Sequence, residues 1–477
     1  MNSSSLKFGT SGLRGLVVDL IGAPAYAYAR AFSEMVAEDQ DPAAKGEILV
    51  ARDLRGSSQE IAERCTAAVG DSGQTPVDCG AAPTPALALA AMTLRCPAIM
   101  VTGSHIPEDR NGLKFYTALG EIDKNDEARI LKRLKSLSID ATPASRSIAL
   151  SRDIVTSYSQ RYREFFGERA LADLTVGVYQ HSSVARDLIC EILEELGATP
   201  APLGRAERFI PVDTEALRPE DESAARAWAK ERRFDAIVST DGDADRPLVA
   251  DASGEFLRGD LVGAMTSAFL GADAIVTPVT ANSALEMCGR FKTVLRTRVG
   301  SPYVIAGMKR AAAAGAKVIV GFEANGGVLL GSDVIKGGRT LAALPTRDAL
   351  LPILSVLRVI AQARRPLAAL AAEFGFAHAF SGRLQNVSND KSAAIIDCFE
   401  THADSQSLAF APLGGIAGID RTDGLRLTTR LGETVHFRAS GNAPELRVYV
   451  EASTVARAGN LLAFGLDLVK RQVAACQ

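Results

Sequence analysis

The sequence predicts an α/β fold divided into several units, on three observations. Short apolar, strand-like runs alternate with stretches of helical pattern. Three of those runs end abruptly in polar, glycine-containing loops. The chain has 477 residues, 47% of them hydrophobic, enough to bury large cores, and at about 150 residues per domain it suggests roughly three domains.

Taken in order, the first helical stretch runs from Ser57 to Val69, with Ser57 or Ser58 placed to cap it. Ala98-Ile99-Met100-Val101 reads as a strand and leads into Thr102-Gly103-Ser104-His105. Asp126 to Leu137 and Val184 to Leu196 are helical, the latter stopped by Gly197. Ala236-Ile237-Val238 is the second strand-like run, and it opens into Asp241-Gly242-Asp243-Ala244-Asp245-Arg246. Tyr303 to Ala314 is helical. Lys317-Val318-Ile319-Val320 is the third run and leads to Glu323-Ala324-Asn325-Gly326-Gly327. A last unit has strand-like Thr434 to Arg438 and Leu446 to Val450 around another glycine-containing loop. Boundaries are expected in Ser138 to Ser151, in the turn-like Asp251 to Asp260, and in Arg364 to Gly375. The repeat is one of layout, not of letters. In open α/β sheets ligands bind beyond the carboxyl ends of strands, so the three loops are expected to converge on one cleft.

Composition narrows the function. Against 56 acidic residues stand 53 basic ones, a net charge of -3 with no strongly basic block. Nucleic acid and anionic membranes are therefore not expected partners. An anionic small substrate must be met by local positive groups. Cys65, Cys79, Cys96, Cys190, Cys288, Cys398 and Cys476 are scattered and form no C-x-x-C pair, which predicts reduced thiols in a cytoplasmic protein rather than disulfides or a zinc site. Met1 to Thr10 is polar and lacks a signal core. No uncharged apolar run approaches the ~18 residues of a membrane helix. Only five histidines exist, none at H-x-x-x-H spacing, so histidine-rich metal chemistry is not expected.

Five motifs carry chemistry, each with a blander alternative. Ser104, in VTGSHIPEDRNGLKFY, has a hydroxyl that can take up a phosphoryl group and hand it on, or is a turn serine. His105 adjoins it, and Lys114 can bring positive charge or a proton to a reacting phosphate. No G-x-S-x-G elbow exists. Asp241, Asp243 and Asp245 alternate in DGDADR directly after an apolar run. Carboxylates this close repel unless a cation holds them, so a hard divalent ion is expected, and Mg²⁺ suits phosphoryl chemistry. An EF-hand loop fits poorly, since its sixth position would be Arg246 and its twelfth Ala252. An aspartyl-phosphate site of the haloacid dehalogenase kind also opens with D-x-D, but Arg246-Pro247 follows here. Glu323 and Asn325 in GFEANGG can grip a pair of sugar hydroxyls or form a plain turn. RASGNAPELR, from Arg438 to Arg447, is an anion trap or a hairpin turn with solvated arginines. FGTSGLRG with Arg14 is a glycine-rich turn without the lysine of a P-loop.

In combination, FGTSGLRG, TGSHIP with NGLK, DGDADR, FEANGG, and RASGNAP with RVYVE resemble the α-D-phosphohexomutase family across nearly the whole chain. Within the family the pattern looks most like the bacterial phosphomannomutases. The resemblance implies four domains: three related α/β domains at 1–150, 151–255 and 256–370, and a C-terminal α+β phosphate-binding domain at 371–477. It implies that Ser104 is the phosphoserine. Asp241, Asp243 and Asp245 then match Mg²⁺ ligands, with a phosphoserine oxygen from Ser104 as a further ligand. Arg246 faces the reacting phosphate. Glu323 holds sugar hydroxyls, with Asn325 in the same loop. Arg438, Ser440, Asn442 and Arg447 fall on the phosphate-binding loop. Arg14 and Lys114 match basic residues near the phosphoryl group, with His105 kept beside Ser104. Four positions depart from the pattern. TGSHIP replaces T-A-S-H-N-P, Asn325 replaces a serine, Gly327 replaces a histidine that is one proposed proton carrier, and SGNAP replaces SGTEP.

The implied reaction is a phosphoryl shuttle. Phosphoserine donates to the free hydroxyl of a hexose monophosphate, the resulting 1,6-bisphosphate turns over, and its other phosphate returns to Ser104. A hexose 1,6-bisphosphate is the expected activator. Mannose phosphates are the expected substrates; glucose phosphates, both sugars, or glucosamine phosphate are alternatives. A silent sugar-phosphate-binding protein is a reading of another class, opposed by the intact Ser104 and aspartates. A serine phosphatase of the alkaline phosphatase kind needs more histidine ligands than exist here.

Overall fold

The computed structural model describes residues 4–9, 12–39, 46–137, 149–404, 408–441 and 444–475. Among them the chain forms four main sheets and one small two-stranded sheet, Val334–Lys336 with Arg339–Leu341. Asn442, Cys476 and most of the expected boundary Ser138 to Ser151 lie outside the described residues.

In the first sheet Glu47–Arg52, Thr75–Ala81 and Ala98–Val101 run parallel. Two of these, EILVAR and AIMV, read as continuous apolar runs because both faces are covered. The two-residue period sorts their side chains. Ile48, Val50, Ile99 and Val101 enter one core with Phe32 and Ile61 of the helices Ala23–Asp39 and Ser58–Asp71. Leu49, Ala51, Ala98 and Met100 enter the opposite core with Leu87 of the helix Thr84–Leu94.

The second sheet has Thr199–Arg205, Thr175–His181 and Ala236–Thr240 parallel, then Pro247–Ala250 antiparallel. The third has Thr293–Thr297, Ala274–Pro278 and Ile319–Phe322 parallel, then Val328–Leu330 and Leu344–Asp348 antiparallel. One layout therefore occurs three times: a parallel strand, a polar loop, and an antiparallel strand returning beside it. Local chemistry sets two boundaries that differ from those read in the sequence. The strand expected from Lys317 begins at Ile319, because the amides of Lys317 and Val318 donate to the Asp273 carboxylate at 3.1 and 3.0 Å. The helix expected from Asp126 begins at Lys124, because Asp123 and Asp126 form a reciprocal capping box.

One apolar core is shared by the first three units, from Leu49 through Val178 to Phe322 and Leu357, with separate clusters on the outer sheet faces. The fourth unit is separate. Its sheet, His378–Gln385, Glu445–Ala452, Thr434–Ala439, Leu425–Thr429 and Ile416–Asp420, is wholly antiparallel. Helices Asn389–Asp404 and Val455–Ala475 cover one face, around Phe399 and Phe437. Alternation along the strands then turns Arg438, Arg447 and Tyr449 to the other face. Four units stand where length suggested three, because the last is small and carries its own core.

Candidate active site

The three repeated loops meet, and the uncovered face of the fourth sheet closes over them. Ser104 is buried and holds a left-handed backbone, φ 53°, rare for a residue with a side chain. Two buried groups hold it there. Its amide donates to Thr102 Oγ1 at 2.8 Å. Its carbonyl accepts from Arg55 Nη2 at 2.8 Å, and the same guanidinium reaches the carbonyls of Ile106 at 2.6 Å and Pro107 at 2.8 Å. Asp53 anchors this cradle, accepting from Arg55 Nε at 3.2 Å, Thr102 Oγ1 at 2.7 Å and Ser58 Oγ at 2.5 Å. Gly103 has to be glycine here, since a Cβ would lie 2.7 Å from the Arg55 guanidinium carbon.

Ser104 Oγ donates to Asp241 Oδ2 at 2.5 Å, and His105 Nδ1 lies 3.2 Å from Ser104 Oγ. The neighbouring side chains do meet, which adjacency in sequence did not require. Asp241, Asp243 and Asp245 are buried, with one carboxylate oxygen from each lying within 4.8 Å of the others. The Asp245 and Arg246 amides donate to Asp241 Oδ1 at 3.1 and 3.2 Å, which curls the loop around that carboxylate. Lys114 Nζ donates to Asp243 and Asp245 at 2.6 Å each, and Thr84 donates to Asp243 at 2.5 Å.

Electrostatics divides the three aspartates. Burial, then the charges of Asp243 and Asp245, push the Asp241 carboxyl well above the usual range. Burial works the same way on Asp245, but Arg347, Lys114 and Arg246 outweigh it and hold that carboxyl ionised. The acidic cluster fits a hard divalent ion on two counts. Its donors are all carboxylate oxygens. Asp243 Oδ1 and Asp245 Oδ1 are buried without a hydrogen-bond partner, which is costly unless a cation meets them.

Cationic groups face the cleft from several sides. Arg14, on the strand Leu13–Leu16, has its pKa pulled down to about 10 by burial and by Arg246 and Arg347. Burial, with Arg246 and Arg14, also pulls His105 well below its ordinary value, so its imidazole is neutral near pH 7. Arg246 Nε and Arg447 Nε are buried donors without an acceptor. Arg438 and Arg447 stand directly opposite each other on neighbouring strands, a like-charge pairing partly offset by the Glu445 carboxylate 3.4 Å from Arg447. Arg438 also donates to Asp423 at 2.6 Å. RASGNAPELR thus links two antiparallel strands as a hairpin, with Arg438 buried rather than solvated.

Glu323, Asn325 and Ser440 line the same cleft. Asn325 Oδ1 accepts from the Gly327 amide at 3.0 Å, so part of that side chain builds the loop. The Asn325 carbonyl accepts from Thr214 at 2.9 Å, which ties the sugar-loop candidate to the second unit. Sequence reasoning missed Asp53, Arg55, Thr214 and Arg347. For Asp53 and Arg55 a signal existed, because ILVARDLR has the same apolar-run-then-polar-loop form as the others. Nothing in LPTRDAL marks Arg347 as buried.

Comparison with known proteins agrees with this geometry. Residues 5–139, 157–254 and 259–375 match the alpha/beta/alpha domains I, II and III of phosphoglucomutase/phosphomannomutase. A Sinorhizobium fredii phosphomannomutase is 49% identical over 97% of this chain and 98% of its own length. A Salmonella muenchen phosphomannomutase is 41% identical over 99% of this chain and 97% of its own. The crystal structure of a phosphoglucomutase/phosphomannomutase family protein from Burkholderia thailandensis superposes with TM-score 0.75 at 22% identity, over 100% of this chain and 98% of that one. The chain belongs to the phosphoglucomutase/phosphomannomutase family and is an enzyme of the phosphohexomutase type. Among members of that family it is most like the bacterial phosphomannomutases.

Proposed function

We propose that this hexose phosphate mutase interconverts mannose 6-phosphate and mannose 1-phosphate, with Ser104 carrying the phosphoryl group between them. The observation that carries the reading is the Ser104 hydroxyl, buried and 2.5 Å from Asp241 at the edge of the acidic cluster. Phosphoserine gives its phosphoryl group to the free hydroxyl of the sugar monophosphate. One P–O bond to Ser104 breaks, one to the sugar forms, and the hydroxyl proton leaves to a base. The 1,6-bisphosphate turns over and its other phosphate returns to Ser104. A hexose 1,6-bisphosphate from solution re-primes any enzyme that loses its phosphate.

Asp241, Asp243 and Asp245, with an oxygen of phosphorylated Ser104, would hold Mg²⁺, which when bound neutralises charge on the transferring phosphoryl group. Lys114, Arg14 and Arg246 add positive charge around the same group. His105, kept neutral, exchanges the proton of the Ser104 oxygen. Glu323 accepts from sugar hydroxyls, with Asn325 beside it. Arg438, Ser440, Asn442 and Arg447 hold the phosphate that is not reacting. The units divide at 1–150, 151–255, 256–370 and 371–477, each supplying one of these loops. A cytoplasmic location is supported by the free thiols among the described residues. No described helix is long and apolar enough to cross a membrane.

The test is an assay of the purified protein on mannose, glucose and glucosamine 1-phosphates, with hexose 1,6-bisphosphate present. The highest kcat/KM is expected with mannose 1-phosphate. Chelation is expected to abolish turnover and Mg²⁺ to restore it. Equal or greater efficiency on another sugar would displace mannose, and full activity in verified metal-free buffer would remove the metal.

A further inference from the structure

Arg347 lies on the strand Leu344–Asp348 and is 6% exposed. Its guanidinium bridges two units. Nε and Nη2 donate to Asp245 Oδ2 at 3.1 and 2.9 Å, and Nη1 donates to Glu323 Oε2 at 3.0 Å. Asp245 comes from the acidic loop of the second sheet and Glu323 from the loop of the third.

Two independent features aim the side chain there. The first is a bulge. Val328 pairs with Asp348 and Leu330 with Leu344, so Leu329 alone faces Pro345, Thr346 and Arg347. Bulges bend a strand and re-aim its side chains. The second is Gly327. A Cβ there would lie 2.9 Å from Arg347 Cδ, 3.0 Å from Cγ and 2.8 Å from the Asp245 carbonyl. The backbone of Gly327 is not in the left-handed region, so glycine is required by space and not by conformation. The volume that a side chain at 327 would fill is taken by the stem of Arg347.

We infer that Arg347 is a positioning residue that locks the orientation of Glu323 toward the sugar hydroxyls and of Asp245 toward the metal, and so couples the two loops. It engages one oxygen of each carboxylate and thereby sets how the other oxygen is turned. The planar fork matters as much as the charge, since a lysine ammonium on a flexible stem cannot hold both carboxylates in one plane. This inference rests on the mutase reading and adds a determinant of sugar grip to it.

The experiment uses the full-length Mg²⁺ enzyme with mannose 1-phosphate and the bisphosphate activator. Arg347→Gln is expected to raise KM about tenfold or more, the scale of a lost charge-assisted bond. It is also expected to weaken Mg²⁺ binding severalfold, read by calorimetric titration of the protein with Mg²⁺ in the absence of sugar phosphate. Arg347→Lys is expected to stay impaired. In a cycle with Glu323→Gln, the double variant should be no worse than about twofold beyond the poorer single variant, because both changes break the same contact. Gly327→Ala, which leaves every charge in place but presses on both the Arg347 stem and the Asp245 carbonyl, should also raise KM, and its effect should not multiply with that of Glu323→Gln, which carries the test if Arg347→Gln does not fold. Multiplying effects in the double variant, rescue by lysine, or an unaffected Gly327→Ala would each overturn the inference. An inactive wild-type enzyme on all three hexose phosphates would instead overturn the mutase reading itself.

Discussion

At the scale of single residues the site is defined by groups held in costly states. Ser104 in a left-handed conformation costs about 1–3 kcal/mol, and Thr102, Asp53 and Arg55 hold it there. Such strain places one hydroxyl against the acidic cluster. Ser104→Ala is expected to reduce sustained turnover to background, and the intact mass of active wild-type enzyme to show one phosphate that the variant lacks. Near-normal turnover in that variant would end the phosphoserine proposal. A second residue-scale consequence concerns stability. Burial lowers His436 from 6.5 to about 4, with Nε2–H donating to the Asp423 carbonyl at 2.7 Å and Nδ1 buried without a partner. The unfolded chain then takes up the proton first as pH falls, so stability is lost between pH 6.5 and 4, by up to roughly 3 kcal/mol for this group. Thermal melts across that range should show a fall, and His436→Gln should remove part of it, since His181 and His105 are lowered by burial in the same direction and keep their shares.

The elements matter through their ends. Each of the three α/β units delivers a polar loop between a buried parallel strand and an antiparallel return strand. Rigid strands fix where the loop begins and ends, which is how loops distant in sequence share one cleft. This much was legible, because an apolar run stopping at charged and glycine residues is visible in the letters. The fourth sheet works differently, through the alternation that sends Phe437 inward and Arg438 outward. Truncating Arg447 relieves Arg438 of a like-charge neighbour but also removes the 3.4 Å contact with Glu445. The two effects oppose, so Arg447→Ala is expected to leave the melting temperature nearly unchanged. It should also raise KM for the hexose monophosphate about tenfold and release more bisphosphate per turnover. Unchanged kinetics and unchanged release in a folded variant would reduce the hairpin to a structural turn.

At the scale of the whole molecule, one core is shared by three units and one belongs to the fourth alone. Between them lie mainly polar links: Asn282 with the Ala377 carbonyl at 2.9 Å, Ser283 with Glu451 at 2.5 Å, and the Val299 amide with Asp423 at 3.0 Å. Calorimetry is expected to resolve two transitions. Phe437→Ala, which empties a position packed 4.8 Å from the Phe399 ring, should lower only one of them, by about 3–5 kcal/mol. A single transition that moves as a whole would contradict the division.

The sequence by itself determined the acidic cluster and the serine loop, each written in a short contiguous run, and the α/β class and reaction type through patterns spread in order along the chain. Local spacing is enough when three carboxylates share one loop. Tertiary structure alone decided that Arg55 cradles Ser104, that Lys114 sits on Asp243 and Asp245, and that Arg347 joins Asp245 to Glu323. Those contacts link residues far apart in the chain. They depend on strand order, on one bulge and on the space left at Gly327. No periodicity encodes a buried arginine, since on a strand it reads like any solvent-facing charge until a carboxylate from another unit is brought to meet it.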